Sequence, residues 1–331
     1  MGFTTMGSQT SPDNKLLAVL CACGAVGIAT SSDTIVKWLS GDYPVHQVLV
    51  IRCLIGIPIL TLIVHRNASL KSLWGPGTGL SLTRGLIMSS AYLAYILSIA
   101  AMPMADSVAI YFVMPLVVAL LAGPMLGEHV RLHRWIAILG GFVGVMIMIN
   151  PSDGVLKPAA LLALYSAISY AISQTLSRRV LRTVPPAAMA FHVNAAYLTV
   201  AVSLALAFEL FNLGHVEDKS LAFLSRPWQW PHFGDLAAMV LLGTTVAIAM
   251  VLFATAYRSA ESSFVAPFEY SAMFWAALFG FLVFGDVPGV RTVWGGAIVL
   301  AAGLFMLWMD RRIDRLGVKT VGVVGTTRPG V

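Results

Sequence analysis

Residues 105–127, ADSVAIYFVMPLVVALLAGPMLG, form one of several long apolar stretches in this chain of 331 residues. Residues 262–285, SSFVAPFEYSAMFWAALFGFLVFG, form another, and the two end alike: Met125-Leu126-Gly127-Glu128 closes the first and Val283-Phe284-Gly285-Asp286 the second. A helix needs about 20 apolar residues to cross the hydrocarbon core of a membrane. The two stretches therefore predict membrane-spanning helices, and their shared ending predicts a repeated architecture.

The composition agrees with a membrane protein. Hydrophobic residues make up 58% of the chain, charged residues only 11%, and the mean hydropathy is +0.83. A soluble chain carries about 25% charged residues, so a water-soluble enzyme is excluded. We predict an all-α integral membrane fold of ten transmembrane helices joined by short connections. The predicted spans are residues 16–37, 45–64, 80–101, 105–127, 133–149, 158–180, 186–211, 235–258, 262–285 and 291–309.

The basic residues predict the orientation of these spans. If the N-terminus is cytoplasmic, the inside segments hold 15 Lys and Arg, the outside segments hold 5, and Arg52 lies within a span. Cytoplasmic loops carry an excess of Lys and Arg, so we expect both the N-terminus (residues 1–15) and the basic tail (residues 310–331) in the cytoplasm. The net charge of +6 is then explained by this bias, and no nucleic-acid partner is expected.

The repeat divides the chain into two halves, residues 16–149 and 158–309, with five predicted spans each. Trp135 and Trp294 open the last span of each half, and Gly144 and Gly303 recur within it, both at an offset of 159. Because five is odd, the second half must enter the membrane from the opposite side. Inverted repeats are typical of secondary transporters, in which the substrate site lies near the midplane between the halves.

The motifs of the first half resemble those of a known family. Val36-Lys37-Trp38-Leu39, Tyr43-Pro44-x-x-Gln47 and Arg52 are similar to the first repeat of EamA-type members of the drug/metabolite transporter superfamily. The Gly127-Glu128 and Gly285-Asp286 turns match the ends of that family's two repeats. The resemblance implies that the first four helices of each half surround a central cavity and that the fifth is peripheral. It also implies substrates such as amino acids and their metabolites, nucleotide-linked sugars, vitamins or cationic drugs.

Charged residues inside spans are candidates for the transport site, because a charge in a membrane is costly and usually faces a polar interior. Arg52 lies about eight residues into span two, where it would bind a substrate carboxylate or phosphate, pair with an acid on another helix, or snorkel outward. Asp33 precedes Lys37 by four residues, a spacing that favours a local salt bridge. The alternative places Asp33 in the cavity as a coupling residue, near Arg52.

Two further residues are candidates for proton coupling. Glu269 follows Pro267 in span nine, and broken helices line transporter sites. We expect Glu269 to carry the coupling proton, or else to be neutralised by Arg or Lys within the bundle. His192 lies early in span seven. A proton relay is one role for it, although a hydrogen bond between helices is the commoner role for a histidine in a membrane.

Aromatic residues inside spans are the candidate substrate contacts. Stacking and cation–π contacts would let such rings hold a planar or cationic substrate, whereas simple packing is the alternative. The candidates are Tyr92, Tyr95, Tyr111, Tyr170 and Trp275. Tyr170 belongs to a polar stripe on span six that also contains Ser166, Ser173 and Ser177. That stripe either faces a wet cavity, which we favour, or bonds to another helix.

We therefore predict a secondary transporter that moves a small polar organic metabolite, an amino acid or related compound, by alternating access. It is expected in the bacterial inner membrane, surrounded by lipid, with no cofactor and no metal. Proton coupling and a homodimer remain open. One alternative is an uptake carrier for S-adenosylmethionine or a vitamin such as riboflavin. A membrane-embedded enzyme is the non-transport alternative, although the sequence has no cluster of catalytic residues at one membrane face and no nucleotide-binding motif.

Overall fold

The computed structural model describes residues 15–126, 132–149, 158–211, 223–259 and 265–315. The Gly127-Glu128 turn, the polar N-terminus and most of the basic tail lie outside these ranges. The helices are α1 Lys15–Leu39, α2 Val45–Asn67, α3 Thr78–Ala101, α4 Met104–Tyr111, α5 Met114–Leu126, α6 Leu132–Ile149, α7 Pro158–Val180, α8 Pro186–Phe211, α9 Phe233–Ser259, α10 Ser271–Phe284 and α11 Val290–Arg315, with 3-10 helices at Leu70–Trp74 and Ala266–Tyr270.

The helices confirm the predicted all-α membrane architecture. Of the residues described, nine stretches are helical, long and apolar enough to cross a membrane, and α9 adds the shorter apolar segment Phe233–Thr245. Eight predicted spans correspond to single helices. The fourth and ninth spans instead consist of two pieces each, since α4 is followed by α5 and the 3-10 helix Ala266–Tyr270 is followed by α10.

The two broken spans occupy equivalent positions in the two repeats. The first break falls at Phe112 and Val113, just before Pro115, which cannot donate a backbone hydrogen bond. The second is the 3-10 helix that contains Pro267. The repeat endings are 158 residues apart, and at this offset Phe112 is equivalent to Tyr270. The centroids of these two rings lie 5.0 Å apart. The breaks therefore meet at the interface of the two repeats.

Helix packing follows the same pseudo-twofold relation. The first-repeat helix α3 packs against α7 and α8 of the second repeat, and its counterpart α9 packs against α1 and α2 of the first. Two further pairs, α2 with α8 and α6 with α11, are each formed by a helix and its own counterpart. Each major contact between the halves thus has an equivalent, as an inverted repeat requires.

Small residues allow the closest of these contacts. Ala163, Ala167 and Ala171 recur every fourth residue along α7 and are fully buried. Gly144 of α6 and Gly295 of α11 lie against each other's backbones, because a Cβ on Gly144 would stand 2.7 Å from the Gly295 carbonyl oxygen. Without a hydrophobic driving force between helices, such close approach is what holds helices together in a membrane.

This packing predicts opposite outcomes for two glycines on α6. Gly144→Ala should lower the free energy of unfolding by about 1–3 kcal/mol, because the new methyl group meets backbone that cannot move aside. Gly140→Ala should be tolerated, because its Cβ would meet the Ala302 side chain at an ordinary 3.8 Å. Unfolding in mixed detergent micelles measures both, and equal losses would contradict the assigned contact.

Candidate functional site

A cavity of about 270 Å³ lies where the two helix breaks meet. This volume is near the lower end of the range for small-molecule sites, about 300–1,000 Å³. Its walls come from both repeats, and the two breaks contribute Phe112 and Glu269. The lining includes six of the nine candidates for substrate contact or coupling: Asp33, Tyr92, Tyr95, Tyr111, Tyr170 and Glu269.

Two carboxylates line this cavity from opposite repeats. Asp33 of α1 accepts a hydrogen bond of 3.1 Å from the Tyr95 hydroxyl. Glu269 lies in the 3-10 helix of the ninth span. The favoured local salt bridge between Asp33 and Lys37 is wrong, because Lys37 binds Asp286 at 2.6 Å instead. The side chain of Asp33 turns toward the cavity, where a tyrosine hydroxyl satisfies it.

Tyrosine rings form a continuous aromatic wall across the site. The Tyr111 ring lies 5.2 Å from that of Tyr95 and 5.5 Å from that of Tyr170, with the second pair edge to face. These distances are those of favourable aromatic contacts. Rings held in this way support one another, and they offer π-faces and hydroxyl groups to a substrate.

Arg52 lies behind the wall and contacts Tyr92. Its guanidinium stands 4.8 Å from the centroid of the Tyr92 ring and donates a hydrogen bond to the Tyr92 hydroxyl. Tyr92 lines the cavity, and its other neighbour is the ring of Tyr197 at 5.4 Å. Arg52 thus orients a tyrosine that lines the cavity.

Besides Arg52, two predicted site residues lie outside the cavity lining. His192 is 3% exposed, donates from Nε2 to the Leu73 carbonyl at 3.0 Å and contacts the Ser81 hydroxyl through Nδ1 at 2.9 Å. Trp275 stacks on Phe279 with 5.6 Å between ring centroids. Neither residue is part of the described cavity lining. Both contact neighbouring elements, since the Trp275 ring also lies against Gly27 of α1.

The polar stripe of α7 serves two purposes. Ser166 and Tyr170 line the cavity, whereas Ser173 and Ser177 pack against Arg84 of α3. Arg84 is one of the 15 basic residues assigned to the inside segments, although it is buried within α3. The serine spacing on α7 was a signal for its position, but we favoured a wet cavity for that stripe, and the alternative of a bond to another helix holds for Ser173 and Ser177.

The end of the bundle that contains Lys37 is closed by contacts between the repeats. The Lys37 ammonium group binds Asp286 and donates to the Met102 carbonyl at 3.1 Å. The Tyr43 hydroxyl donates to Asp235 at 2.6 Å. These polar residues of the first-repeat motif therefore bind the first repeat to the second at one membrane face.

Gln47 and Gly285 complete this closure. Gln47 donates to the Gln229 carbonyl at 2.6 Å and accepts from the Gln229 N–H at 3.2 Å. Gly285 ends α10 with a φ of 69°, in the left-handed region that favours glycine. The Asp286 N–H then bonds back to the Gly280 carbonyl at 3.0 Å. This turn directs Asp286 toward Lys37, which explains the Gly-Asp ending of the second repeat.

The family assignment follows from the whole chain. The sequence profile of the EamA-like transporter family matches residues 16–150 and 157–309, one match for each half. This chain belongs to that family. An EamA-like chain with this many apolar helices is a multi-pass membrane protein that transports a small molecule. Within the described ranges, no three His, Cys, Asp or Glu side chains are grouped as ligands for a metal ion.

Individual relatives are similar at low identity. The S-adenosylmethionine uptake transporter of Rickettsia prowazekii is 23% identical over 69% of this chain and 71% of its own length. The riboflavin transporter of Rhizobium johnstonii is 30% identical over 71% of this chain and 72% of its own. A crystal structure aligns with 92% of this chain and all of its own at a TM-score of 0.58 and 17% identity, which shows the shared fold.

The pairing of Lys37 with Asp286 predicts coupled mutational effects. Lys37→Gln and Asp286→Asn should each lower the free energy of unfolding. The loss in the double variant should be smaller than the sum of the two single losses by about 1 kcal/mol. Asp42→Asn makes the same chemical change at an exposed carboxylate of the same face and should have little effect. Unfolding free energies in detergent give the coupling, and strictly additive losses would contradict the pairing.

Proposed function

We propose that this EamA-like transporter moves a small metabolite with a planar ring and a positive charge across the bacterial inner membrane by alternating access. The observation that carries the proposal is a cavity between inverted repeats that holds a carboxylate from each repeat and four tyrosines. Closure at the Lys37 end by contacts between the repeats supports alternating access, since a rocking motion of the repeats would break those contacts and open that end.

The chemistry of the lining supports this substrate class. The described lining includes Asp33 and Glu269 but no Lys or Arg. Carboxylates and tyrosine faces both attract cations, and rings stack on rings. S-adenosylmethionine, which the Rickettsia relative is named for transporting, carries a positive sulfonium, an amino group and an adenine ring. Riboflavin is the second candidate, because the tyrosine wall suits its flat ring system although its ring carries no positive charge.

Coupling to protons is proposed through the two cavity carboxylates. Proton-coupled carriers use intramembrane Asp and Glu residues as relays, and a carboxylate that binds a cationic substrate can bind a proton in its absence. We propose Glu269 as the main carrier, since it lies at a helix break, with Asp33 as the second. Arg52 is proposed as a positioning residue for Tyr92, and His192 and Trp275 as packing residues.

We further propose an orientation of the chain in the membrane and a function other than catalysis. The excess of Lys and Arg in alternate loops supports cytoplasmic termini, with the Lys37 end facing outward. The direction of transport is left to the experiment below. An enzyme is the weaker alternative, because the relatives and the family are transporters and the cavity residues suit binding.

Substitution of the cavity carboxylates tests the proposal in proteoliposomes with radiolabelled S-adenosylmethionine and riboflavin as probes. A proton gradient should drive accumulation of a probe by the unchanged protein in one of its two directions, inward for symport or outward for antiport, and not in the other. Glu269→Gln should abolish accumulation against a gradient while leaving exchange across the membrane, because the amide cannot release a proton. Asp33→Asn should weaken binding of the cationic probe more than that of riboflavin.

Glu209→Gln is the matched control, because Glu209 is an exposed acid on α8 that does not line the cavity. It should transport normally. The coupling assignment is overturned if Glu269→Gln still accumulates substrate as the unchanged protein does. The substrate class is overturned if Asp33→Asn and Glu269→Gln leave the affinity for the cationic probe unchanged.

A further inference from the structure

Arg84 is a buried cation outside the transport cavity. Its side chain is 6% exposed and lies in the second turn of α3, at the end of the bundle opposite Lys37. Nε donates to the Ser177 hydroxyl at 2.7 Å and to the Ser173 carbonyl at 3.2 Å, and one terminal nitrogen, Nη2, donates to Gln174 Oε1 at 3.1 Å. All three acceptors are on α7, and all are neutral.

The charge of Arg84 is therefore uncompensated in the described part of the chain. Its partners there are not carboxylates, and its three hydrogen bonds use Nε and Nη2 rather than the second terminal nitrogen, Nη1. A buried charge is costly when it is not paired. A neutral residue such as Gln would join α3 to α7 without that cost, so packing alone does not account for an arginine.

Helix register places Arg84 just beyond the cavity wall. The lining residue Met88 follows it by one turn of α3, and the lining residue Tyr170 precedes Ser173 and Gln174 by one turn of α7. One turn corresponds to about 5.4 Å. The guanidinium is also close enough to interact electrostatically with Tyr170, as Glu269 does from its side. Tyr170 thus has both a carboxylate of the cavity and the Arg84 cation among its neighbours.

We propose that Arg84 is an anion subsite that binds the carboxylate of a zwitterionic substrate as it passes between the cavity and the Arg84 end. The ring of the substrate lies among the tyrosines, its cationic group faces Asp33 and Glu269, and its carboxylate accepts hydrogen bonds from Nη1. This inference rests on the proposed function and narrows its substrate class from cations to amino-acid-like zwitterions.

Arg84 and Arg52, the arginine that the sequence places deep within a span, have different neighbours. Arg52 is stacked on the ring of Tyr92 and donates to its hydroxyl through Nη1, so its guanidinium serves to orient Tyr92. Arg84 stacks on no ring that the structure describes, and its α7 contacts use Nε and Nη2 but not Nη1. Its other bonds fix the guanidinium in place, so binding a carboxylate costs little additional ordering.

Matched pairs of probes that differ only by a carboxylate test the subsite in proteoliposomes containing the full chain. Suitable pairs are S-adenosylmethionine with its decarboxylated form, tyrosine with tyramine, and tryptophan with tryptamine. The unchanged protein should transport the carboxylated member of at least one pair with a higher kcat/KM. Arg84→Gln should lower that preference by roughly 10- to 100-fold, the value of a hydrogen bond to a charged group.

Two further variants separate this role from packing. Arg84→Lys retains the charge and should keep part of the preference, whereas a packing role predicts equal losses for both members of a pair. Arg66→Gln removes an exposed arginine at the end of α2 and should change nothing. The preference is a ratio, so it is measurable even in a variant that folds in lower yield.

The outcomes for the subsite and for the proposed function are distinct. An unchanged preference in Arg84→Gln, or transport of the amines and riboflavin without any carboxylate preference, overturns the subsite and leaves transport of a ring-bearing substrate intact. Failure of the unchanged protein to transport any cationic or zwitterionic probe overturns both the subsite and the proposed substrate class.

Discussion

A hydrocarbon interior offers no hydrogen-bond partner to a peptide group, and this constraint accounts for most of the structure. Long unbroken helices satisfy every internal backbone group, and irregular backbone is tolerated only where it is buried in protein or lines a polar cavity. The described spans are broken at Phe112–Val113 and at Ala266–Tyr270. Both breaks contribute side chains to the same cavity. The positions where the helical pattern fails thus locate the candidate site.

The second organising feature is the pairing of equivalent elements from the two repeats. Small residues make many of its contacts, namely the glycines between α6 and α11 and the alanines on α7. The rings of Phe112 and Tyr270 also contact each other. Polar contacts are concentrated at the Lys37 end, where residues of the first-repeat motif reach the second repeat. Two halves that rock against each other need packing that persists and contacts that break easily. The polar contacts at the Lys37 end meet the second need, because water replaces polar contacts at a water-facing surface when they break.

Sequence reasoning predicted the spans, the repeat and six cavity-lining residues, because apolar length and intramembrane charge have direct physical causes. It failed where a choice of partner depends on helix rotation. Asp33 and Lys37 lie one turn apart, but Lys37 binds Asp286, which is 249 residues away. Ser173 and Ser177 continue the stripe that lines the cavity, but they bond Arg84 on another helix. The spacing of residues along a helix predicts which of them share a face. It does not predict which other helix that face contacts.

The most direct test of the account is whether one cavity position becomes accessible from both sides of the membrane. Ala272 lines the cavity, and Ala272→Cys would carry the single thiol in a chain whose Cys21, Cys23 and Cys53 are replaced by serine. A membrane-impermeant maleimide is then applied to right-side-out and inside-out vesicles. Alternating access predicts labelling from both faces, with S-adenosylmethionine slowing it from each. Labelling from one face only, under every condition, would contradict the account.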